Sequence, residues 1–115
     1  MSEVSFATRE IHVTGFRVAA MQDGIEIGHA YVYRLDNDGR DSPFALAEDL
    51  YVIEPARRQG IARLLAAESI KMAKKLGCYK LIASSRFSRE GQHRRLESYG
   101  LKKWGYEFRL DFEGS

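Results

Sequence analysis

Cysteine is nearly absent. Cys78 is the one cysteine among 115 residues, so no disulfide can close within the chain. A reducing, cytoplasmic setting is expected. No apolar run approaches the ~20 residues that span a bilayer. Met1-Ser2-Glu3-Val4 has no basic stretch leading into an apolar core, so no secretory signal is expected. Charge of either sign is hardly in excess: the net charge is +2 with 30% charged residues. That balance argues against a dedicated nucleic-acid or membrane protein. His12 and His29 stand alone, without a second ligand at metal spacing, so no metal is expected. There is no internal repeat. What is present is enough apolar material, 44% of residues, to bury a core in one domain spanning 1–115.

One stretch organises the rest: Leu50-Tyr51-Val52-Ile53-Glu54-Pro55-Ala56-Arg57-Arg58-Gln59-Gly60-Ile61-Ala62. It reads as an apolar strand, a basic turn and the start of a helix. A helix leaves its first backbone N–H groups without internal partners, and its dipole places about half a positive charge there. Gly60, lacking a Cβ, lets an anion approach the backbone. Ala62 keeps the first turn small, and Arg57, Arg58 and Arg63 add charge around the mouth. The bland alternative is an ordinary connection with solvated arginines.

Along the chain, Val4–Phe6 and Ile11–Val13 are short apolar pieces, one or both of which would form a first strand. Phe16–Met21 reads as a strand, Asp23-Gly24 as a hairpin turn, and Ile25–Tyr33 as the return strand. Gly28 inside it marks a bulge or a close backbone approach. Residues 36–43 are a loop by composition. Phe44–Ile53 is apolar enough for a central strand covered on both faces, and Pro55 ends it. Ile61, Leu64, Leu65, Met72, Ala73 and Leu76 form one helical stripe, with Gly77 at the C-cap. Cys78–Ala83 is a short strand in which Cys78 is a small core residue rather than a nucleophile. Ser88–Tyr99 reads as a second helix with Ser88 as N-cap and Gly100 past its end. Trp104, Tyr106, Phe108, Leu110 and Phe112 alternate, predicting a last strand over Leu101–Phe112, with a tail from Glu113. That strand offers a surface for a second copy of the chain, or else packs on the second helix and the core.

The run Arg57-x-x-Gly60-x-Ala62, preceded by Leu50-Tyr51-Val52 and Pro55 and followed by Leu64-Leu65, resembles the signature of the GNAT N-acetyltransferase superfamily. The resemblance implies an α/β (α+β) acyl-CoA N-acyltransferase fold with a mixed central sheet and elements in the order β-β-β-β-α-β-α-β. It implies acetyl-CoA (coenzyme A) as acetyl donor, held by Leu50, Tyr51, Val52, Arg57, Arg58, Gln59, Gly60, Ile61, Ala62 and Arg63. The acyl-CoA of that family lies between two splayed strands, here Leu46–Ile53 and Tyr79–Ser84. The family's helices between its first two strands are missing, since only Thr14 and Gly15 separate Val13 from Phe16. The full seventh strand is missing too. The acceptor side is then open, or completed by a homodimer through the C-terminal strand.

The reaction so implied is attack of a neutral primary amine, of a small molecule or a protein, on a thioester. An alkyl amine with pKa of about 10.4 is mostly protonated at pH 7, so a base is needed. Asp49 and Glu48 are the acids on the central strand; strict alternation groups Asp49 with Ala47 and Tyr51, and Glu48 with Leu50 and Val52. Asp49 falls on the family's acidic parity, which a bulge would reverse. The family's oxyanion donors, backbone amides, map near Val52 and Ile53. Its helix tyrosine, the acid for the thiolate, maps to Leu96, and a frequent asparagine maps to Arg89. Tyr99 and Tyr51 are substitutes for that acid, or packing residues. The loss allows a slow enzyme or, as an alternative reading, a non-catalytic acetyl-CoA-binding regulator acting through a protein partner. Arg86, Arg89, His93, Arg94 and Arg95 form a basic run: a contact for the coenzyme's 3′-phosphate, a nucleic-acid patch, or a solvated face.

Overall fold

The computed structural model describes residues 2–38 and 41–113. Gly39 and Arg40 of the expected loop, and Gly114 and Ser115 of the tail, lie outside the described residues. The elements are β1 (Val13–Gln22), β2 (Ile25–Leu35), β3 (Phe44–Val52), a 3₁₀ turn (Glu54–Ala56), α1 (Ile61–Lys75), β4 (Leu81–Ala83) and α2 (Glu90–Ser98). The four strands form one mixed sheet in the order β1-β2-β3-β4. The chain separates into two compact units, Met1–Ile82 and Ala83–Ser115.

In the first unit, Asp23 (φ 51°) and Gly24 (φ 77°) close β1 onto β2. Positive φ at both central residues is the type I′ geometry that Asp-Gly adopts most readily. The pairing slips between Ala20 and Met21, so Ile27 is an extra residue between Glu26 and Gly28. Gly28 itself meets the close-approach expectation. A Cβ built there would lie 2.9 Å from the Tyr51 carbonyl oxygen and 3.0 Å from Leu65 Cδ1.

Helix α1 packs on one face of the sheet. Its buried residues are Leu65, Ala66, Ser69 and Ala73. Leu65 joins Ile27, Val52 and Ala56 in one cluster, and Ala73 joins Val32 and Ala45 in another. The buried stripe is narrower than the sequence pattern: Leu64 is 60% exposed. The Ser69 hydroxyl donates to the Leu65 carbonyl oxygen at 2.8 Å, so a polar side chain is buried at little cost. The helix ends with Gly77 at φ 78°, its N–H bonded to Lys74 O and the Cys78 N–H to Ala73 O. This is a Schellman cap, which needs the glycine.

In the second unit, α2 is capped by Arg89 rather than Ser88, with no side-chain hydrogen bond at its start. Its end is a second Schellman cap: Gly100 (φ 102°) bonds Glu97 O and Leu101 bonds Leu96 O.

Two expected strands are not formed. Residues 2–12 and 101–112 carry no regular structure. Trp104, Phe108 and Phe112 are more than 90% exposed. Period two supplies an apolar face, but a strand also needs a neighbour for its backbone N–H and C=O groups. Among the described residues nothing pairs with either segment.

Candidate functional site

The strand–turn–helix stretch folds as the sequence predicts, and its details differ in three places. The first is the backbone of β3. Register runs Tyr31↔Glu48 and then His29↔Tyr51, so two residues, Asp49 and Leu50, face one, Ala30. This is a β-bulge, and Asp49 stands in it at φ 52°. That left-handed position usually belongs to glycine, and aspartate is among the few other residues that tolerate it.

The bulge reverses the parity read from strict alternation. Cross-strand partners share a face. Glu48 and Tyr51 therefore lie with His29, Tyr31 and Tyr33 on the side away from α1, while Ala47 and Val52 face the helix side with Val32. Asp49 Oδ2 lies 3.4 Å from His29 Nε2, so both carboxylates reach the same open face. Sequence reasoning dismissed His29 as isolated. Only the β2–β3 register brings it opposite Tyr51, and no local pattern signals that. Nor is β3 covered on both faces: Leu50 is 40% and Tyr51 45% exposed.

The open face is aromatic with charged groups among the rings. Tyr31 stacks parallel to Tyr33 with centroids 6.4 Å apart, and His29 meets Tyr31 edge-on at 5.5 Å and Tyr51 at 5.8 Å. Arg17 on β1 holds Glu26 through a two-pronged ion pair, one prong at 2.6 Å, and lies over the Tyr31 ring. The Arg17 hydrogen bonds hold the Glu26 carboxyl below its ordinary range, against a smaller opposing effect of burial. The same pairing raises Arg17, whose charge is permanent at any working pH.

The second difference is Arg57. Its Nε donates to the Val52 carbonyl oxygen at 2.9 Å, and its guanidinium lies 5.5 Å from the Tyr51 ring centre. It fastens the turn to the end of β3. The third is the Ile53 N–H, which donates to Ile27 O at 2.9 Å and so is already engaged by β2. Of the two amides expected as oxyanion donors, Ile53 is therefore already bonded to β2.

The start of α1 is where the sequence placed an anion site. Gly60 is its N-cap at φ 79°; no side chain caps the helix, and its first turn has no acidic residue. A Cβ at Gly60 would meet nothing within 4 Å, so the approach is open. Arg58 stands before it at φ 66°. Leu50, Tyr51 and Val52 end β3, and Arg57, Arg58, Gln59, Gly60, Ile61, Ala62 and Arg63 run from the turn after it into the first turn of α1. Tyr99 is the half-buried C-cap of α2, in the second unit. Cys78 packs against the Val32 cluster, and burial pushes its thiol up, which suits a core residue and not a nucleophile. No group of metal-binding side chains is found among the described residues.

The model of the acetyltransferase (GNAT) family matches residues 3–101. A search of curated proteins finds no match. Among solved structures, a protein from Agrobacterium tumefaciens assigned as an acetyltransferase superposes with a TM-score of 0.73 at 25% identity, over 88% of this chain and 71% of its own. A transcriptional regulator from Bacillus halodurans gives 0.79 at 23%, over 85% of this chain and 66% of its own. The aminoglycoside N-acetyltransferase AAC(6')-Iy, solved with CoA, gives 0.70 at 23%, over 91% and 79%. These last two likenesses are of fold. The chain spans less than two thirds of the Bacillus halodurans protein and of an integron cassette protein from V. cholerae, of which it covers 59%. With a family model covering most of its length, the chain belongs to the GNAT acetyltransferase family.

Proposed function

We propose that this chain is an acetyl-CoA-dependent N-acetyltransferase, acting as one domain over 1–115 and moving acetyl to the primary amine of a small molecule or protein. The observation that carries the reading is the uncapped, acid-free beginning of α1 behind Arg57-Arg58-Gln59-Gly60. The helix dipole, the glycine at its start and the neighbouring arginines suit a diphosphate. Family membership makes coenzyme A the diphosphate to expect. Leu50 in the bulge, and Tyr51 and Val52 past it, would hold the donor's arm, and Arg58–Arg63 its diphosphate.

The acceptor would approach the open face of the sheet. Glu48 and Asp49 lie there, exposed, and favour a cationic amine over an anionic one. Proton removal would fall to the groups at the bulge, and a backbone amide near Val52 would steady the developing oxyanion. An ordinary thiol has a pKa near 8.5, so help from an acid for the departing thiolate is useful and not obligatory.

The test is transfer of labelled acetyl from acetyl-CoA to a panel of polyamines, amino sugars and lysine peptides. Label on any amine supports the reading. Coenzyme binding without transfer to any of them would instead favour a regulator that only binds the coenzyme. No binding at all removes both.

A further inference from the structure

The amine's proton needs a specific acceptor, and the bulge presents three side chains within one small area. Glu48 and Asp49 are exposed carboxylates, whereas the His29 side chain is only 17% exposed. His29 is wedged edge-on against Tyr31 and tilted against Tyr51. Its Nε2 faces Asp49 Oδ2 at 3.4 Å, long for a hydrogen bond, and catalytic bonds of this kind tighten when substrate arrives. Asp49 reaches it from the bulge, in a backbone conformation that few residues accept. The facing titratable groups are Glu26 and Tyr31 on β2 and Glu48, Asp49 and Tyr51 on β3; Arg17 on β1 is tied to Glu26.

We infer that His29 is the proton acceptor of the transfer and that Asp49 is its positioning residue. The inference rests on the acetyltransferase reading and deepens it. Geometry separates the candidates. Glu48 and Asp49 are exposed, whereas the His29 ring is held in one orientation by Tyr31, Tyr51 and Asp49, as a positioned proton acceptor must be. With Nε2–H directed at Asp49, the Nδ1 lone pair is left to receive a proton. The neutral amine nitrogen forms a bond to the thioester carbon, and the C–S bond breaks with its electron pair on sulfur. The proton released from nitrogen goes to His29 Nδ1 and from there, directly or through water, to the thiolate. Amine and acetyl-CoA become amide and coenzyme A, and nothing else is consumed.

The experiment compares wild type, His29→Gln, Asp49→Asn and the double variant with acetyl-CoA and a polyamine acceptor. Both kcat and kcat/KM are followed from pH 5.5 to 9, and coenzyme binding is measured separately by thermal shift. The expected result is a fall in kcat of about 100-fold or more in His29→Gln, the range of a lost general base. Its coenzyme affinity should be unchanged, and the acidic limb of the pH profile should disappear. Asp49→Asn, which keeps shape and tolerates the left-handed φ, should lower kcat less and displace that limb. The double variant should be no slower than His29→Gln. If His29→Gln keeps its limb and activity within threefold while Asp49→Asn loses both, Asp49 is the acceptor and the inference falls with the acetyltransferase reading intact. A wild type that neither binds coenzyme nor transfers acetyl overturns that reading first.

Discussion

Replacing Gly28 by alanine tests the closeness of β2, β3 and α1 beside the bulge. The added methyl would sit 2.9 Å from the Tyr51 carbonyl oxygen, 3.0 Å from Leu65 Cδ1 and 3.4 Å from Val52 Cγ2. The carbonyl belongs to a hydrogen-bonded strand, and Leu65 is 2% exposed, so neither can step aside alone. The strands must part by a few tenths of an ångström. Overpacking of this kind costs about 1–3 kcal/mol, and the loss of glycine's unfolded-state freedom returns about 0.4–1 kcal/mol. The expected net loss is about 1–2 kcal/mol, or roughly 4–8 °C in melting temperature for a chain of this size. Gly15→Ala is the matched control. Its Cβ would also fall at 3.0 Å, but against the ring of Tyr33, a partly exposed side chain that can turn. That variant should be neutral or slightly stabilised. Urea unfolding of both variants gives the answer. Equal effects, or a stabilised Gly28→Ala, would show that the two strands and the helix are not packed as described.

Leu65→Ala should cost about 2–5 kcal/mol by urea unfolding, as for other fully buried leucines, while Leu64→Ala should stay within about 0.5 kcal/mol. Arg57→Ala should cost about 1 kcal/mol in the same assay, and Arg57→Lys should not restore it, because the bond to Val52 O comes from Nε. Burial raises the Cys78 thiol, so its contribution is complete below the ordinary thiol range near 8.5 and is lost as pH rises toward the folded-state value. An alkaline stability profile of Cys78→Ala should therefore fall less steeply above that range than wild type, and Ellman's reagent should react slowly with the folded protein.

What could be read from the sequence was what neighbouring residues decide among themselves. Asp23-Gly24 carries its own turn geometry, Gly77 and Gly100 their own helix caps, and Arg57–Ala62 its strand–turn–helix context. The bulge at Asp49 could be allowed for but not located, because it exists only in the register between β2 and β3, 20 residues apart at His29 and Asp49. His29 escaped with it. The alternating aromatics after Leu101 carried a sound pattern for one face and no information about a neighbouring strand. Leu64 fitted the helical stripe but sits at its edge, where the sheet no longer covers it.

The central claim is that the first amides of α1 hold the coenzyme's diphosphate. The direct measurement is a thermal titration with acetyl-CoA of wild type, Gly60→Glu and Gly24→Glu. Gly60 and Gly24 have nearly equal φ, 79° and 77°, and nothing within 4 Å of a built Cβ, so both variants bear a similar backbone cost. Only the first puts a carboxylate at the helix start. Wild type and Gly24→Glu should gain about 2.7 kcal/mol at 100 times Kd, and Gly60→Glu should gain nothing. Equal stabilisation of all three would place the coenzyme elsewhere and contradict the account.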